Sequence, residues 1–336
     1  MMINPKNVSR KTLALSALLV TSQVAPGAVF VFRTDTAGDG NTVPGSDGQT
    51  FQQRWGTPNN WTLQSGVDDG ANGYPDASDS IIMDRTGVAN NSTRLTTEGS
   101  PGSLVAIASI TGTGTGNQDI VFKTRDFTIG DLNSLSSSQP FHIRAERDKS
   151  ITINGIIGGP GSLRLSRSGG FSDGVDPDEL ITITGGAANT ITGAIQLFND
   201  SAEQPSFWVA DKVGAFGQAS TVTLAATNGA ATGEASLRIT SNAIGGEGAI
   251  DDDATILEIG NNGILSLDPG VNEVIGEGNL LVDLGSGLAP IAPGVYTNAE
   301  PWLAGAGTLT VGAVVPEPSS LALAALSVLG LARRKR

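Results

Sequence analysis

The sequence predicts an all-β protein whose body is a right-handed parallel β-helix, a solenoid of stacked coils, with a β-sandwich as the alternative. Three observations favour this fold. Short segments such as ITING, TVTLA and LSLD alternate apolar and polar residues, which is typical of strands with one buried face. These segments are bounded by Gly, Asn or Asp, and no long amphipathic helix is evident between the two ends of the chain. A glycine-containing pattern also returns after roughly 30 residues, which indicates a repeat architecture.

The composition restricts the catalytic and metal chemistry that the chain can perform and the binding partners that its surface can attract. The chain has 336 residues and no Cys, so disulfides, thiol catalysis and Cys-ligated zinc are excluded. Asp and Glu number 33 against 20 Lys and Arg, and seven of these basic residues lie in the two ends, so the body is strongly acidic. Such a surface repels nucleic acid and anionic lipid, because it has no basic stripe to contact phosphates. Neutral glycans and divalent cations are more compatible partners.

Residues 1–28 have the pattern of a secretory signal peptide. A basic stretch with Lys6, Arg10 and Lys11 precedes an apolar segment, and small residues follow at positions 25–28. We therefore expect an N-terminal signal helix, export by a Sec-type route, and removal of this segment by signal peptidase.

Residues 29–85 lead into the body and are expected to cap it. They hold Trp55 and Trp61, and further along lie Pro75, Ala77, Asp79 and Ile81. This spacing resembles the W-x5-W … P-x-A-x-D-x-[IV] segment that often precedes autotransporter-associated β-strand repeats in exported bacterial proteins. The two tryptophans would seal the apolar end of the first coil. Alternatively, Trp55, Trp61 and Trp208 stack on sugar rings as carbohydrate contacts.

Residues 86–312 form the predicted solenoid body. Copies of G-x-G-x-L-x-[LV] begin at Gly159, Gly276 and Gly305. Their glycines permit a tight corner of a coil, and the Leu and Leu or Val that follow are expected to point inward from the next strand. Residues 155–197 also resemble the autotransporter-associated β-strand repeat, and this resemblance implies a parallel β-helix of an exported bacterial protein.

The body offers few candidates for catalysis or metal binding. His142 is the one His of the chain, and it alternates with apolar residues in PFHIRAERD, so we expect an exposed residue on the outer face of a strand rather than a catalytic base. Asp251, Asp252 and Asp253 are weak calcium candidates, since clustered acids in loops are usually solvated turns. No catalytic residue and no resident cofactor is predicted, and the chain is interpreted as a non-enzyme.

Residues 313–336 carry the most specific motif of the sequence. Pro316, Glu317 and Pro318 precede a short apolar run, which is followed by the basic stop Arg333, Arg334, Lys335 and Arg336. These three parts, in this order, resemble the PEP-CTERM sorting signal of Gram-negative bacteria. The resemblance implies recognition by exosortase, a membrane processing enzyme. The apolar run is shorter than the roughly 20 residues that a spanning helix needs, so we expect a short hydrophobic helix. This helix would be transmembrane only while the tail is in the inner membrane.

These features predict an exported, non-catalytic structural or adhesive protein of the cell surface or extracellular matrix, sorted by an exosortase and associated with exopolysaccharide. Two alternatives stay open. A β-helix polysaccharide lyase or glycosidase would use carboxylates such as Asp173 and Asp176, since paired carboxylates perform glycoside hydrolysis. A carbohydrate-binding module would use the three tryptophans Trp55, Trp61 and Trp208.

Overall fold

The computed structural model describes residues 27–32, 42–44, 51–68, 73–84, 93–97, 105–114, 118–123, 125–135, 139–146, 149–168, 180–200, 205–226, 234–244, 248–252 and 254–312. Their strands, in chain order, are β1 (Val29–Phe32), β2 (Thr42–Pro44), β3 (Phe51–Arg54), β4 (Trp61–Ser65), β5 (Ser80–Asp84), β6 (Thr93–Thr96), β7 (Ala106–Thr113), β8 (Gln118–Phe122), β9 (Phe127–Ser134), β10 (Phe141–Glu146), β11 (Ile151–Ile153), β12 (Ile157–Gly159), β13 (Leu163–Ser168), β14 (Leu180–Ile183), β15 (Thr190–Ile191), β16 (Ile195–Asn199), β17 (Ser206–Ala210), β18 (Thr221–Ala226), β19 (Ala235–Ile239), β20 (Ile256–Ile259), β21 (Gly263–Leu267), β22 (Asn272–Gly276), β23 (Leu280–Asp283), β24 (Leu288–Pro290), β25 (Gly294–Tyr296), β26 (Leu303–Gly305) and β27 (Thr308–Gly312). Two short 3-10 helices are Pro58–Asn60 and Ser241–Ala243.

Most strands belong to two long sheets. Sheet A has the order β4-β1-β5-β7-β9-β11-β14-β17-β19-β21-β26, with β12 and β15 beside it, and sheet B has the order β2-β3-β6-β8-β10-β13-β16-β18-β20-β23-β24. A smaller sheet C has the order β22-β27-β25. The chain passes between sheets A and B in successive coils, so their neighbouring strands are parallel through the middle of the solenoid. The fold is therefore all-β and a parallel β-helix, as predicted, and not the alternative sandwich, whose sheets are antiparallel.

Inward-facing apolar residues stack in register from coil to coil. In sheet A Ile151 pairs with Ile181, and in sheet B Leu165 pairs with Leu197, which pairs with Leu224. The three leucines are fully buried. The alternation seen in the sequence thus directs one face of each strand into the core, where burial of each such side chain contributes about 1.5–3 kcal/mol.

The three glycine patterns lie at turns, but not at one repeated corner. Leu163 and Leu280 begin strands of sheet B, whereas Leu309 lies in sheet C. All three leucines are fully buried, as expected. Gly159 has a positive φ of 100°, and a Cβ there would lie 2.2 Å from the Ser134 carbonyl oxygen, so a larger residue does not fit. The pattern therefore marks tight turns before inward-facing strands in general.

Antiparallel strands lie at both ends of the solenoid. At the N-terminal end β4 pairs with β1, and β2 pairs with β3. At the C-terminal end β24 pairs with β23, and β25 pairs with β27. Aromatic rings fill the core at the N-terminal end, where the ring centroid of Trp55 lies 5.3 Å from that of Trp61 and 5.9 Å from that of Phe127.

The residues that the sequence singled out between Trp55 and Asp79 lie close together at this N-terminal end. Trp61 Nε1 donates to the carbonyl oxygen of Trp55 at 2.7 Å, and Trp55 Nε1 donates to the carbonyl oxygen of Pro75 at 3.0 Å. The carboxylate of Asp79 is fully buried and accepts a hydrogen bond from the backbone N–H of Ala28 at 2.7 Å. These bonds join the start of β1, the turn before β4 and the turn before β5.

The two predicted terminal helices are not part of this description. Residues 1–26 and 313–336 lie outside the described residues, so the expected signal helix and tail helix have no structural account. Within the described part of the chain, no helix is both long enough and apolar enough to cross a membrane.

Candidate functional site

The three tryptophans proposed from the sequence as carbohydrate contacts lie inside the solenoid. Trp55 is 0%, Trp61 5% and Trp208 1% exposed. Trp208 lies on β17 between Ile181 and Leu237 of the neighbouring coils. A sugar stacks on an accessible ring face. Because these rings present no such face, the structure assigns them to the core and gives no support to the carbohydrate-binding module built on them.

His142 lies on the outer face of sheet B, as predicted, but it is not exposed. Its side chain is 12% exposed and belongs to a polar row that crosses three coils. His142 Nε2 lies 2.5 Å from Ser166 Oγ, and His142 Nδ1 lies 3.8 Å from Asp119 Oδ2. Arg144 Nη2 lies 3.3 Å from Asp119 Oδ2 and 3.4 Å from His142 Nδ1. Contacts between neighbouring polar side chains therefore shield the ring.

This Ser-His-Asp grouping lacks the geometry of a nucleophilic triad. The distance of 3.8 Å between His142 and Asp119 is longer than a hydrogen bond, so Asp119 does not fix the imidazole as a triad requires. Ser166 is 0% exposed, so a substrate carbonyl has no access to its Oγ. The row links adjacent coils and does not form a site for nucleophilic catalysis.

The acidic candidates do not form a common site among the described residues. Asp251 Oδ1 accepts a hydrogen bond from the backbone N–H of Ala254 at 3.0 Å, which is the role of a turn residue. Asp253, Asp173 and Asp176 lie outside the described residues. In the ranges that the structure describes, no three His, Cys, Asp or Glu side chains are grouped so that they could hold a metal ion.

Glu273 is a buried carboxyl near the C-terminal end that sequence reasoning missed. It is 1% exposed, and its oxygens accept hydrogen bonds from the backbone N–H groups of Ile250 at 2.7 Å and Ala249 at 3.3 Å. Burial raises the pKa of Glu273 to about 7, the two N–H donors oppose this rise, and the charge of Asp252 adds to it. A Cβ on Gly248 would lie 2.7 Å from Glu273 Oε2, so the carboxyl fills the space beside this glycine.

A polar groove lies where three successive coils turn from sheet B to sheet A near the C-terminal end. We call it the corner groove; its lining includes Glu234, Asn261, Asn262, Asp283, Leu284 and Trp302. Its volume is about 490 Å³, within the range of about 300–1,000 Å³ that is usual for ligand clefts.

The middle of the three corners is short. β20 ends at Ile259 and β21 already begins at Gly263, whereas the next corner contains both β24 and β25. The Gly263 N–H closes the short turn by donating to the Gly260 carbonyl oxygen at 3.0 Å. Asn262 has a φ of 57°, a left-handed conformation that Asn tolerates better than most residues. The short corner forms the floor, with Glu234 on one side as the first wall and Asp283, Leu284 and Trp302 on the other side as the second wall.

A carboxylate lies on each wall. The Ser206 N–H donates to the carbonyl oxygen of Glu234 at 2.8 Å and so fixes the backbone at this position. The Glu234 carboxylate makes no hydrogen bond to another described residue. Asp283 Oδ1 accepts the backbone N–H groups of Gly285 at 2.8 Å and Gly287 at 2.9 Å. Asp283 Oδ2 takes part in neither of these two bonds.

Apolar and amide side chains complete the groove. Leu284 is 65% exposed, and Trp302, which is 4% exposed, packs its ring against Tyr296 with a centroid distance of 5.8 Å. Asn261 is exposed on the short corner. Sequence reasoning passed over Trp302 because it lies in a turn, outside any alternating segment. The combination of acceptors, an amide and an apolar surface is suited to a ligand that carries both hydroxyl and C–H groups.

Comparison with known proteins identifies the tail and leaves the solenoid without a match. Residues 314–336 match the family model described as the PEP-CTERM protein-sorting motif. No curated protein and no solved structure matches the chain. The motif implies recognition by exosortase, processing at the membrane and attachment to the cell surface. The chain thus combines a parallel β-helix with a PEP-CTERM sorting tail, and it is an exported protein that an exosortase sorts.

Proposed function

We propose that the chain is a non-catalytic adhesive protein of the cell surface whose solenoid binds a neutral glycan in the corner groove. The observation that supports this function is the meeting, in one groove, of two carboxylates from Glu234 and Asp283, the amide of Asn261 and the exposed side chain of Leu284. Sugar hydroxyls donate to carboxylates and exchange hydrogen bonds with amides, while the C–H faces of sugar rings contact apolar side chains.

The charge of the groove favours a neutral glycan over an acidic one. The described lining contains no Lys, Arg or His, and the whole chain has a net charge of −13. A uronic acid would bring a third carboxylate between Glu234 and Asp283, and like charges at short distance repel. Neutral hexoses avoid this cost and still offer donors to both walls.

The solenoid suits a binding role because it holds the walls on regular strands. Glu234 directly precedes β19, and Asp283 ends β23, and both strands are paired with neighbouring coils. Groups placed on rigid elements lose little conformational freedom when a ligand binds. The inaccessible Oγ of Ser166 gives no support to a hydrolase on the outer face of sheet B.

Binding of the full chain to neutral oligosaccharides tests this function. Purified protein is applied to an array of neutral hexose oligosaccharides, uronic acid oligosaccharides and glucosamine oligosaccharides. We expect saturable binding to neutral members. The double variant Glu234→Gln/Asp283→Asn is expected to lose at least about tenfold in affinity, because amides replace two charge-assisted acceptors.

A matched control is Glu277→Gln, which removes an exposed carboxylate outside the groove and should leave binding unchanged. Equal binding by the double variant and the wild type would contradict the proposal, as would a preference for uronic acids. Loss of binding in EDTA would show a cation site instead, and turnover of the glycan would favour the enzyme alternative.

We further propose that Pro316, Glu317 and Pro318 are the segment that the exosortase recognises, and that the basic residues 333–336 hold the tail in the inner membrane until processing. Deletion of residues 314–336 is expected to move the protein from the cell-surface fraction to the soluble exported fraction. Replacement of the four basic residues by Gln tests the second role separately. An unchanged location after the deletion would contradict the assignment.

A further inference from the structure

The backbone N–H of Ala28 is held by a buried carboxylate. Ala28 and Asp79 are both 0% exposed, and the Ala28 nitrogen lies 2.7 Å from Asp79 Oδ1. Asp79 Oδ2 accepts a second bond from the backbone N–H of Asp76 at 2.9 Å. Burying a carboxylate costs free energy unless the charge is paired. A positive charge at the Ala28 nitrogen would lie within hydrogen-bond distance of the Asp79 carboxylate and would pair with it.

Ala28 itself belongs to the folded solenoid. Its carbonyl oxygen accepts the N–H of Ser80 at 2.9 Å, which continues the parallel pairing of β1 with β5. Cleavage after Ala28, at the end of the signal segment 1–28 that the sequence suggests, would remove this acceptor and a fully buried side chain. The structure therefore favours a mature chain that retains Ala28.

The residues before Ala28 allow a cleavage one position earlier. Signal peptidase requires small residues at the last and third-last positions of the leader. For a cut after Gly27 these positions are Gly27 and Ala25, whereas for a cut after Ala28 the third-last residue is Pro26. The requirement of the enzyme and the contacts of the fold thus agree on the bond between Gly27 and Ala28.

We propose that signal peptidase hydrolyses the Gly27–Ala28 peptide bond and that the new N-terminus forms a buried ion pair with Asp79. One water is consumed, the new carboxylate leaves on Gly27 with the leader, and the amine stays on Ala28, where it is protonated at neutral pH. The hydrogen bond between a neutral N–H and Asp79 becomes a charge-assisted bond. This inference rests on the proposed export and adds a step by which processing stabilises the first coil.

Mass spectrometry of the N-terminal peptide, on protein recovered from the cell envelope, tests the cleavage site. A mature chain that begins at Ala28 is expected. A chain that begins at Val29 or at any other position near residue 28 overturns this inference and leaves export intact. A chain in the envelope that still begins at Met1 would overturn the signal peptide itself.

The ion pair is tested by Asp79→Asn, which keeps a hydrogen-bond acceptor and removes the charge. The thermal unfolding midpoint of this variant is compared in two forms, the exported processed chain and the unprocessed chain made in the cytoplasm. We expect a clearly larger decrease in the processed form, since that form alone has the ammonium group. Asp76→Asn, which alters a neighbouring carboxylate, should change both forms equally. Equal decreases for Asp79→Asn would overturn the ion pair.

Discussion

The two ends of the solenoid differ in how the apolar core is covered. At the N-terminal end, Trp55 is fully buried and its ring lies within 6.5 Å of the rings of Trp61, Phe122 and Phe127. At the C-terminal end, Trp302 has one ring partner among the described residues, and the antiparallel strand β24, which pairs with β23, is exposed along its length. The comparison indicates that the first end is closed by apolar packing, while the last end leaves the whole of β24 exposed to solvent.

The largest expected effect is the loss of the aromatic cluster. Trp55→Ala should reduce the free energy of unfolding by about 3–5 kcal/mol, since it leaves a large cavity and removes the aromatic contacts. Trp302→Ala should cost less, because fewer rings surround it. Thermal unfolding with native-state hydrogen exchange of the β1 and β5 amides measures both effects. A greater loss for Trp302→Ala would reverse the comparison. Leu63→Ala is the control, because Leu63 is 47% exposed on β4.

The second effect is a pH dependence of the C-terminal coils. The pKa of Glu273 is about 7 in the folded state against 4.5 for the free side chain. The folded state therefore holds the proton more tightly, and its stabilising contribution is complete below about pH 4.5 and is lost as the pH rises through 7. The difference corresponds to about 3 kcal/mol.

Denaturant unfolding of the wild type and of Glu273→Gln at pH 5 and pH 8 measures this dependence. The variant should lose less stability between the two pH values than the wild type does, because Gln carries no titrating proton. Glu277→Gln, at an exposed site, should retain the wild-type profile. Parallel pH profiles for wild type and Glu273→Gln would show that Glu273 does not couple the fold to pH.

The smallest expected effect concerns the floor of the corner groove. Asn262→Val should destabilise the protein by about 1–3 kcal/mol, since a β-branched residue is strained at the φ of 57°. Asn262→Gly accepts this φ and should preserve stability. Unfolding midpoints for both variants, with glycan binding measured alongside, relate the short corner to the groove. Equal stability of the Val and Gly variants would contradict the argument from backbone strain.

The fold could be predicted because its rules are local. Alternation with a period of two and glycine at turns are visible in any single coil, and Leu165, Leu197 and Leu224 illustrate how inward residues stack once the coils align. The corner groove could not be predicted in this way. It brings the short corner at Asn262 beside Glu234 and Trp302 of the neighbouring coils, and their alignment is fixed by pairing between strands that are distant in the sequence.

The same limit explains the errors on individual residues. Trp55 and Trp61 were open to two interpretations because a tryptophan that seals a core and one that stacks on sugar have the same sequence signal. His142 was correctly predicted on the outer face, but its burial depends on Asp119 and Ser166 from neighbouring coils. Residue type and spacing give the face of a strand, whereas neighbours across the sheet decide its accessibility.

The position of β27 has a mechanical consequence. This strand is hydrogen-bonded on both sides, in parallel to β22 and in antiparallel to β25, and the sorting tail follows directly from it. A load applied through the tail would pull along a strand in the middle of a sheet. Its hydrogen bonds would then share the force in shear, whereas a tether on an edge strand could be peeled away one bond at a time. A tether through this tail would therefore load a strand that is hydrogen-bonded along both of its edges.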